Sequence, residues 1–593
     1  MAHTYGPLCV EDGEFRLLEL QPGSGEDMIT CTMRSTSLAE QPVCQYETIS
    51  YCWGDLAPEA RLELDGNELI IPASAVAALR RVRLPDRTRL LFLDVLCIDQ
   101  TNLEERAQQV SIMNDIYSSS AGNLIYLGEE DTSTGPAVRT IRLLYDEILH
   151  ETDNLVALGS TVADPDTRNA NRSQVGFRNR DELDFEALDS FFGLPRLWVT
   201  LETLVAPSNQ ALCGTHSFSL VELLRVSAWL HYKSFHIQKY VPNSINNRLW
   251  TWWVALDEQV DPVAGQCGGF QTFAQMLSYA SSRGASDERD RVYALHKLFQ
   301  GPLPPSLLPD YRRPLVELMC EATRRAFIDV DGNLDLGVLH HVHHASQQEL
   351  ELSAWPSWVP TWTEYHNDPG TFPESFCAGA HSPRAPDASD TDSSAELVVR
   401  GCVVGTVDTV TDALSDRVFQ CWEGLDTWIQ SVEERIDQWD RHRNEPSRKR
   451  LLSAVLEAAT SENGTANQDP KTGLECLLQH LREKGIPPPA LAPDEEDAVA
   501  TRARSMYDKI WLYGIERLVF GTHTGSLGLG PALTRKGDVV VAVPGSPWPL
   551  VLRPHAERGF RFVGEAYVYG VMYGEAVKAH GAGWSGDEVF TIR

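Results

Sequence analysis

The stretch LLFLDVLCIDQTNLEERAQQVSIMNDIYSSSAGNLIYLG, residues 90–128, decides the fold that this sequence predicts. It opens with an apolar run from Leu90 to Leu96, and a run this short and this apolar predicts a buried strand. A second run, from Asn123 to Leu127, predicts another buried strand. Between them a helix is expected to begin near Asn102, because apolar side chains recur at three- and four-residue steps. The order strand, loop, helix, strand predicts a βαβ crossover, the unit of a parallel α/β sheet. The apolar helix positions are Ala107, Val110, Met113, Ile116 and Tyr117.

Polar side chains follow the first predicted strand. Asp94, Asp99 and Gln100 come at its carboxyl end. In an open α/β sheet, ligands bind in the crevice beyond the carboxyl ends of the strands, so these residues are candidate ligand contacts. The alternative is a loop that satisfies its own backbone through Asx turns and caps the following helix.

The composition is strongly acidic. Asp and Glu outnumber Lys and Arg by 83 to 51, which gives a formal net charge of −32. Such a charge repels nucleic-acid phosphates, so we expect no nucleic-acid partner without a local basic patch. The richest basic run, 441–450, stands beside acidic residues and is typical of a solvated helix face.

The cysteines and apolar runs indicate the compartment. Twelve cysteines are spread singly, without a CxxC pair, which argues against zinc-ribbon and redox motifs and favours a reducing compartment. The N-terminus lacks a signal-peptide pattern, and no apolar run reaches the roughly 18–20 residues that span a bilayer. The sequence therefore predicts a cytoplasmic protein without a membrane span.

A chain of 593 residues should form about two to four domains. The first predicted domain is α/β and includes a strand from Tyr46 to Asp55 and a hairpin turning at Asp65-Gly66-Asn67. The last predicted region has short strands separated by Gly and Pro turns, which favours a small β-barrel or sandwich. The predicted order is α/β domain 1–215, helical region 216–377, linker 378–396, mixed strand and helix region 397–485, acidic Pro-rich linker 486–500 and β-rich region 501–593.

Three other motifs contain residue types that occur in metal, nucleophile or phosphate sites. The run His340-His341-Val342-His343-His344 has no Cys or carboxylate at ligand spacing, so we expect no metal there. Cys97 has no nearby His to activate it as a nucleophile. The glycine-rich stretch 525–531 lacks the Lys and the strand-loop-helix context of a phosphate loop, so turn glycines are the better interpretation.

An ordered set of motifs resembles the fungal heterokaryon-incompatibility (HET) domain. More distant segments, Asp290 to Leu295, Pro356 to Trp362 and Gly528 to Glu575, are similar to accessory regions of such proteins, so the resemblance covers most of the chain. The HET-like motifs are Tyr46…Ser50-Tyr51…Trp53-Gly54-Asp55, Leu93-Asp94…Cys97-Ile98-Asp99-Gln100, Glu105-Arg106…Gln109-Val110…Tyr117 and Arg196-Leu197-Trp198-Val199…Glu202…Ala206.

The resemblance implies a fold and an activity. HET domains act in fungal non-self recognition and programmed cell death, and they are thought to be similar to TIR domains, which have a flavodoxin-like parallel sheet. Some TIR domains cleave NAD with a glutamate in a Trp-containing helix, so the resemblance makes Glu202 the catalytic candidate and NAD a possible substrate, with no cofactor required. The family commonly has Gln before this Glu, where this chain has Leu201. The NAD-binding candidates that it implies are Ser50, Trp53, Gly54, Asp55, Asp94, Asp99, Gln100, Arg106 and Trp198.

Two other functions fit the same residues. The domain could be a non-catalytic module that signals by self-association or through a protein partner, with Glu202 paired to Arg106 or Arg196 for structural reasons. A HET-like fold could also be recruited to another reaction, such as one of secondary metabolism. An exposed apolar patch would favour the interaction module, whereas a carboxylate in a solvent-open pocket would favour the hydrolase.

Overall fold

The computed structural model divides the chain into two compact units, one formed by residues 1–271 and 275–314, the other by 272–274 and 315–593. Within the part of the chain that the structure describes, no helix has the length and apolarity needed to cross a membrane. The described residues are 4–40, 45–51, 59–151, 182–191, 202–203, 205–220, 222–223, 225–226, 230, 260–261, 266–267, 270–281, 284–362, 376–379, 395–419, 422–440, 476–477, 479–481, 483, 498–555, 559–578 and 588–593.

The first unit is built on a nine-stranded mixed sheet with the strand order β5-β4-β2-β1-β6-β3-β7-β8-β9. A separate two-stranded ladder joins β10 (Val260–Asp261) to β11 (Gln266–Cys267). The strands of the large sheet are β1 (Glu14–Leu20), β2 (Thr30–Ser37), β3 (Glu47–Tyr51), β4 (Glu59–Leu64), β5 (Asn67–Pro72), β6 (Arg89–Phe92), β7 (Asn123–Gly128), β8 (Asn209–Cys213) and β9 (His216–Ser219).

Four neighbouring strands in the middle of this sheet are parallel. Strand β3 pairs in parallel with β6 on one side and with β7 on the other, and β7 pairs in parallel with β8. Counted along the chain, these four strands lie in the order 2-1-3-4. The chain therefore reverses its direction of travel across the sheet at β3, and such a switch point opens a crevice at the carboxyl ends of β3 and β7.

The crossover from β6 to β7 confirms the predicted βαβ unit but corrects its first strand. Strand β6 ends at Phe92, and Asp94–Cys97 form one turn of helix instead of continuing the strand. The Asp94 carboxylate accepts a hydrogen bond of 2.7 Å from the Val95 N–H, which favours this helical turn. The second helix begins where the sequence predicts, because the Asn102 side chain caps it by accepting from the N–H groups of Glu104 and Glu105.

The hairpin between β4 and β5 is also as predicted. Asp65 and Gly66 have φ values of 51° and 74°, the left-handed conformation that a two-residue type I′ turn requires. The longer described helices, of six residues or more, are Ala73–Val82, Leu103–Ser118, Thr134–Glu151, Phe185–Phe191, Phe273–Ser281, Leu315–Ala326, Gln347–Leu352, Trp422–Asp440 and Ala498–Gly514.

A buried ion pair fastens the crossover helix to the sheet. Arg16 of β1 donates two hydrogen bonds to the Glu105 carboxylate, of 2.6 and 3.0 Å, and both side chains are at least nine-tenths buried. Arg16 also donates to the Cys97 carbonyl at 3.0 Å, and Glu105 accepts from the Asp99 N–H at 2.8 Å. One bidentate pair thus fixes a strand, the loop after β6 and the first turn of the helix.

The second unit contains a closed ring of five strands. The longest strand, β12, pairs first with β19 and then with β15, and the ring closes through β16 and β17. The end of β12 also pairs with β13, which continues the sheet through β14 to β18. The strands are β12 (Leu397–Val410), β13 (Arg517–Thr522), β14 (Leu527–Pro531), β15 (Val539–Ala542), β16 (Leu550–His555), β17 (Gly559–Glu565), β18 (Tyr567–Val568) and β19 (Glu588–Ile592).

The architecture therefore agrees with the expected sequence of an α/β region, a helical middle and a β-rich C-terminal region. Strand Leu397–Val410 lies at the start of the predicted mixed strand and helix region, and the predicted barrel alternative is the one that the strand pairing forms. Two buried ion pairs tie strands of this sheet together: Arg517 of β13 pairs with Glu565 of β17, and Arg553 of β16 pairs with Asp538, next to β15, both at 2.9 Å.

We expect Glu105→Gln to lower the free energy of unfolding of the first unit by about 3 kcal/mol, because it leaves the buried Arg16 guanidinium without a counter-charge. Glu104→Gln, one residue earlier and exposed, is the matched control and should cost less than about 1 kcal/mol. Urea unfolding of both full-length variants measures the difference. Equal losses of stability would contradict the role given to the ion pair.

Candidate functional site

A buried carboxyl group, that of Glu202, marks the candidate site. Glu202 lies in a short helical segment before β8 and is 4% exposed. Its side chain forms hydrogen bonds with Ser50 of β3 and with Tyr117 in the last turn of helix 103–118, and Asp94 lies within electrostatic range. Three residues predicted from the sequence as site residues, Ser50, Asp94 and Glu202, are thus brought together near the end of β3 and the helical turn after β6.

The surroundings of Glu202 favour its neutral form. Burial raises the pKa of the Glu202 carboxyl from 4.5 to about 8, and the negative charge of Asp94 adds to the rise. Hydrogen bonds with the hydroxyls of Ser50 and Tyr117 act in the opposite direction because they stabilise the carboxylate. Burial and these two carboxyl groups raise the pKa of Tyr117 well above its ordinary value, so its hydroxyl remains a donor.

The protonation of Glu202 also bears on Ser50. Ser50 carries a single hydroxyl proton, yet its oxygen lies within hydrogen-bonding range of Glu202, of Tyr117 and of the Asn123 side-chain carbonyl, the last at 3.0 Å. The Ser50 hydroxyl can therefore donate to only one of these groups at a time. An ionised Glu202 is the strongest acceptor of the three.

Behind the carboxyl, a row of polar side chains crosses three parallel strands. Thr48 of β3 stands opposite Asn123 of β7, and Asn123 stands opposite Asn209 of β8. The Thr48 hydroxyl lies 3.0 Å from Asn123 Oδ1, Asn123 Nδ2 lies 3.2 Å from Asn209 Oδ1, and Asn209 Nδ2 donates to the Thr203 carbonyl at 2.8 Å. The row ends at the backbone of the residue that follows Glu202.

Asp99 and Gln100 make local contacts of the kind that the alternative interpretation describes. Asp99 Oδ1 accepts from the N–H and hydroxyl of Thr101, at 3.0 and 2.7 Å, which is an Asx turn. The Gln100 side chain donates to the Asp94 carbonyl at 3.1 Å. These contacts shape the loop beside Glu202, and a ligand role for either residue stays a prediction.

Arg106 contacts residues of the segment 284–314. Its guanidinium lies 3.8 Å from a carboxylate oxygen of Asp287, 3.5 Å from one of Asp290 and 3.8 Å from the centre of the Tyr311 ring. Among the described residues that act electrostatically on Glu202, none is a cation. The structural pairing of Glu202 with Arg106 that the sequence allowed is therefore not the arrangement found here.

Some expected site residues lie outside the described part of the chain. Four of them are candidate ligand contacts. One more is the alternative structural partner of Glu202, and the last is the position at which this chain departs from the family pattern. They are Trp53, Gly54, Asp55 and Trp198, together with Arg196 and Leu201.

Sequence reasoning missed three polar neighbours of the site, Tyr117, Asn123 and Asn209. Tyr117 was assigned to the apolar helix face, and Asn123 to the start of a buried strand. The sequence does offer one signal for such residues: a polar side chain at a position where the pattern predicts burial. A buried polar atom needs a hydrogen-bond partner. Asn123 is 1% exposed, so its amide fits this description.

Two other candidates acquire a structural explanation. Cys97 is fully buried, which raises the pKa of its thiol to about 12 and keeps it in the unreactive protonated form. His340 and His344 contact the backbone carbonyls of Gly337 and Phe562, at 2.7 and 2.9 Å. The described residues include no group of three His, Cys, Asp or Glu side chains placed to bind a metal ion.

Comparison with known proteins matches both ends of the chain. Residues 46–200 match the heterokaryon incompatibility protein (HET) family, and residues 501–581 match the Het-6 beta-barrel domain. Heterokaryon incompatibility protein 6, OR allele, of Neurospora crassa is 22% identical over 96% of this chain and 96% of its own length. No solved structure matches the chain. The resemblance to HET-domain proteins drawn from the motifs is confirmed.

The raised pKa of Glu202 makes the stability of the first unit depend on pH. The folded state binds the Glu202 proton up to about pH 8, whereas the unfolded chain releases it near 4.5, so stability falls as the pH rises between these values. Each pH unit in that window costs at most about 1.4 kcal/mol. Glu202→Gln is expected to remove this slope.

Calorimetric unfolding of the wild type and of Glu202→Gln at pH 5.5, 7.0 and 8.5 tests this expectation. The variant should gain stability relative to the wild type as the pH rises. Glu186→Gln, an exposed glutamate of helix Phe185–Phe191, serves as the control. Parallel pH curves for the wild type and Glu202→Gln would rule out a neutral Glu202.

Proposed function

We propose that this chain, which carries a HET domain followed by a Het-6 β-barrel domain, is a cytoplasmic protein of fungal non-self recognition. Its HET domain cleaves NAD as a step towards programmed cell death. The observation that carries the proposal is Glu202, held by Ser50 and Tyr117 near Asp94. Its carboxyl is buried, so cleavage requires that assembly of the chain opens this site to NAD. The Neurospora relative, named as a heterokaryon incompatibility protein, supports the biological setting.

The central strands support a TIR-like fold for the HET domain. The order 2-1-3-4 of β3, β6, β7 and β8 is the beginning of the order found in flavodoxin-like sheets. Ligands of such sheets bind where the strand order reverses. We assign the reacting site to this region because Ser50, the penultimate residue of β3, forms a hydrogen bond with Glu202.

The chemistry proposed for Glu202 is hydrolysis of the bond between nicotinamide and ribose. The electron pair of this C–N bond leaves with nicotinamide, which becomes neutral, and positive charge develops at the ribose carbon. An ionised Glu202 stabilises that charge, water adds to the carbon, and the products are nicotinamide, ADP-ribose and one proton. We assign binding of the ribose hydroxyls to Asp94, which acts electrostatically on Glu202, and orientation of the Glu202 carboxylate to Tyr117, which hydrogen-bonds to it.

Non-self recognition requires a contact with another protein molecule, which the Glu202 site does not supply. We assign it to a protein partner or to self-association of the chain. In this scheme assembly controls access of NAD to the HET domain, and the barrel-containing unit takes part in the recognition step.

The direct experiment is nicotinamide release from NAD by the purified full-length chain. We expect release by the wild type and at least a hundredfold slower release, on the order of an oxyanion-type contact, by Glu202→Gln. Glu186→Gln, an exposed carboxylate in the same unit, should match the wild type. No release by the wild type, alone or at concentrations that drive association, would overturn the proposal and favour a non-catalytic interaction module.

The rate of NAD cleavage should also change with pH as the Glu202 carboxyl titrates. If the ionised carboxylate is the active form, kcat/KM for NAD rises with pH and levels off above about pH 8, the pKa of the free enzyme. The cationic nicotinamide ring of bound NAD favours the carboxylate, so the rise in kcat should lie at lower pH than the rise in kcat/KM. Initial rates from pH 5.5 to 9.0 measure both curves. A kcat/KM profile that is flat over this range would exclude Glu202 as the ionising group.

A further inference from the structure

The row of polar side chains behind Glu202 has a defined direction. A backbone carbonyl can only accept a hydrogen bond, so the atom of Asn209 that faces the Thr203 carbonyl must be its Nδ2 group, 2.8 Å away. The Asn209 Oδ1 atom then faces Asn123, which requires the Nδ2 group of Asn123 at that contact, 3.2 Å away. This leaves Asn123 Oδ1 facing the hydroxyls of Thr48 and Ser50, each at 3.0 Å.

Every donor in this row therefore points the same way, from the hydroxyls of β3 to the backbone beside Glu202. The orientation of both amides follows from the Thr203 carbonyl and needs no assumption about amide flips. Thr48, Ser50 and Asn123 are each no more than 1% exposed, so water cannot replace a partner that is lost at these three residues, whereas Asn209 is half-buried.

We propose that Asn123 and Asn209 are positioning residues: their amides form a one-way hydrogen-bonded relay that fastens the turn carrying Glu202 to the parallel strands. The inference rests on the proposed function in one respect, the role of Glu202 as the reacting carboxylate. Neither amide touches the reacting atoms. Asn209 holds the backbone at Thr203, and Asn123 holds Asn209 in the orientation that makes this possible.

The relay also serves the ionisation of Glu202. With Glu202 neutral, the Ser50 hydroxyl has the Asn123 oxygen as its acceptor. When Glu202 ionises, Ser50 can turn to the carboxylate, and the Asn123 oxygen keeps its hydrogen bond from Thr48. The Ser50 hydroxyl and the Asn123 oxygen each keep a hydrogen-bond partner in both states, so a change of protonation does not require the turn to move.

Two variants break the relay without adding charge. Asn209→Ala removes the donor to Thr203, and Asn123→Ser shortens the middle member to a side chain that cannot reach Asn209. Asn67→Ala, in the β4–β5 hairpin, removes an amide that donates to the Asp65 carbonyl at 3.2 Å, and it is the matched control. Far-UV circular dichroism establishes which variants remain folded, and Asn123→Ser serves if Asn209→Ala does not fold.

The first readout is the titration of the Glu202 carboxyl itself. It is followed by ¹³C NMR of the full-length chain labelled at the glutamate side-chain carboxyl carbons, and the signal is assigned by its absence in Glu202→Gln. We expect the wild-type midpoint near pH 8 and a fall of about one pH unit or more in either relay variant, because a released turn exposes the carboxyl to water. A midpoint that stays at the wild-type value in a folded relay variant would overturn the proposal.

The second readout is steady-state cleavage of NAD. A misplaced carboxylate should lower kcat by about tenfold to a hundredfold while KM changes far less. Equal kcat values for the relay variants and Asn67→Ala would overturn the positioning role. If the wild type cleaves no NAD, the proposed function fails, and the carboxyl titration alone still decides whether the relay positions Glu202.

Discussion

Burial of the Glu202 carboxyl is the constraint on which the arrangement of the site depends. A carboxyl removed from water must remain neutral or find donors, and here it meets two hydroxyls and the negative field of Asp94. These neighbours come from three places: the end of β3, the start of the helical turn after β6 and the last turn of helix 103–118. The parallel sheet brings these three segments together around Glu202, so the fold and the protonation state of Glu202 are linked.

The relay and the buried ion pair give this edge its rigidity. Arg16 and Glu105 fix the first turn of the crossover helix, and the same helix presents Tyr117 at its other end. Asn123 and Asn209 fix the segment that carries Glu202. The site is thus held from both sides by polar contacts that are costly to break because they exclude water.

Local patterns in the sequence predicted the elements of the fold well. Apolar spacing located the crossover helix, which begins where the Asn102 side chain caps it. The run from Leu90 to Leu96 misled because apolar density is the same in a buried strand and a buried helical turn. The hydrogen bond from the Val95 N–H to the Asp94 carboxylate favours the helical turn that forms. Closure of the barrel needs β12 and β19, which lie outside the matched barrel region and pair with strands far along the chain.

The site was predictable only where the family pattern marked it. Glu202, Ser50 and Asp94 were named from motifs, yet their approach depends on contacts across more than 100 residues of chain that no local pattern encodes. Arg106 shows the opposite outcome. It was named as a site residue from a motif, but its guanidinium contacts Asp287 and Asp290. The residue types indicated which reactions are chemically possible. The topology determined which of these residues lie close enough together to act in one site.

The most direct test of the central claim is a crystal structure of the full-length chain with ADP-ribose, a product of NAD cleavage. The account predicts the terminal ribose beyond the carboxyl end of β3, with a ribose hydroxyl about 3 Å from the Glu202 carboxyl. ADP-ribose bound elsewhere on the chain, with Glu202 paired to a basic side chain, would contradict it.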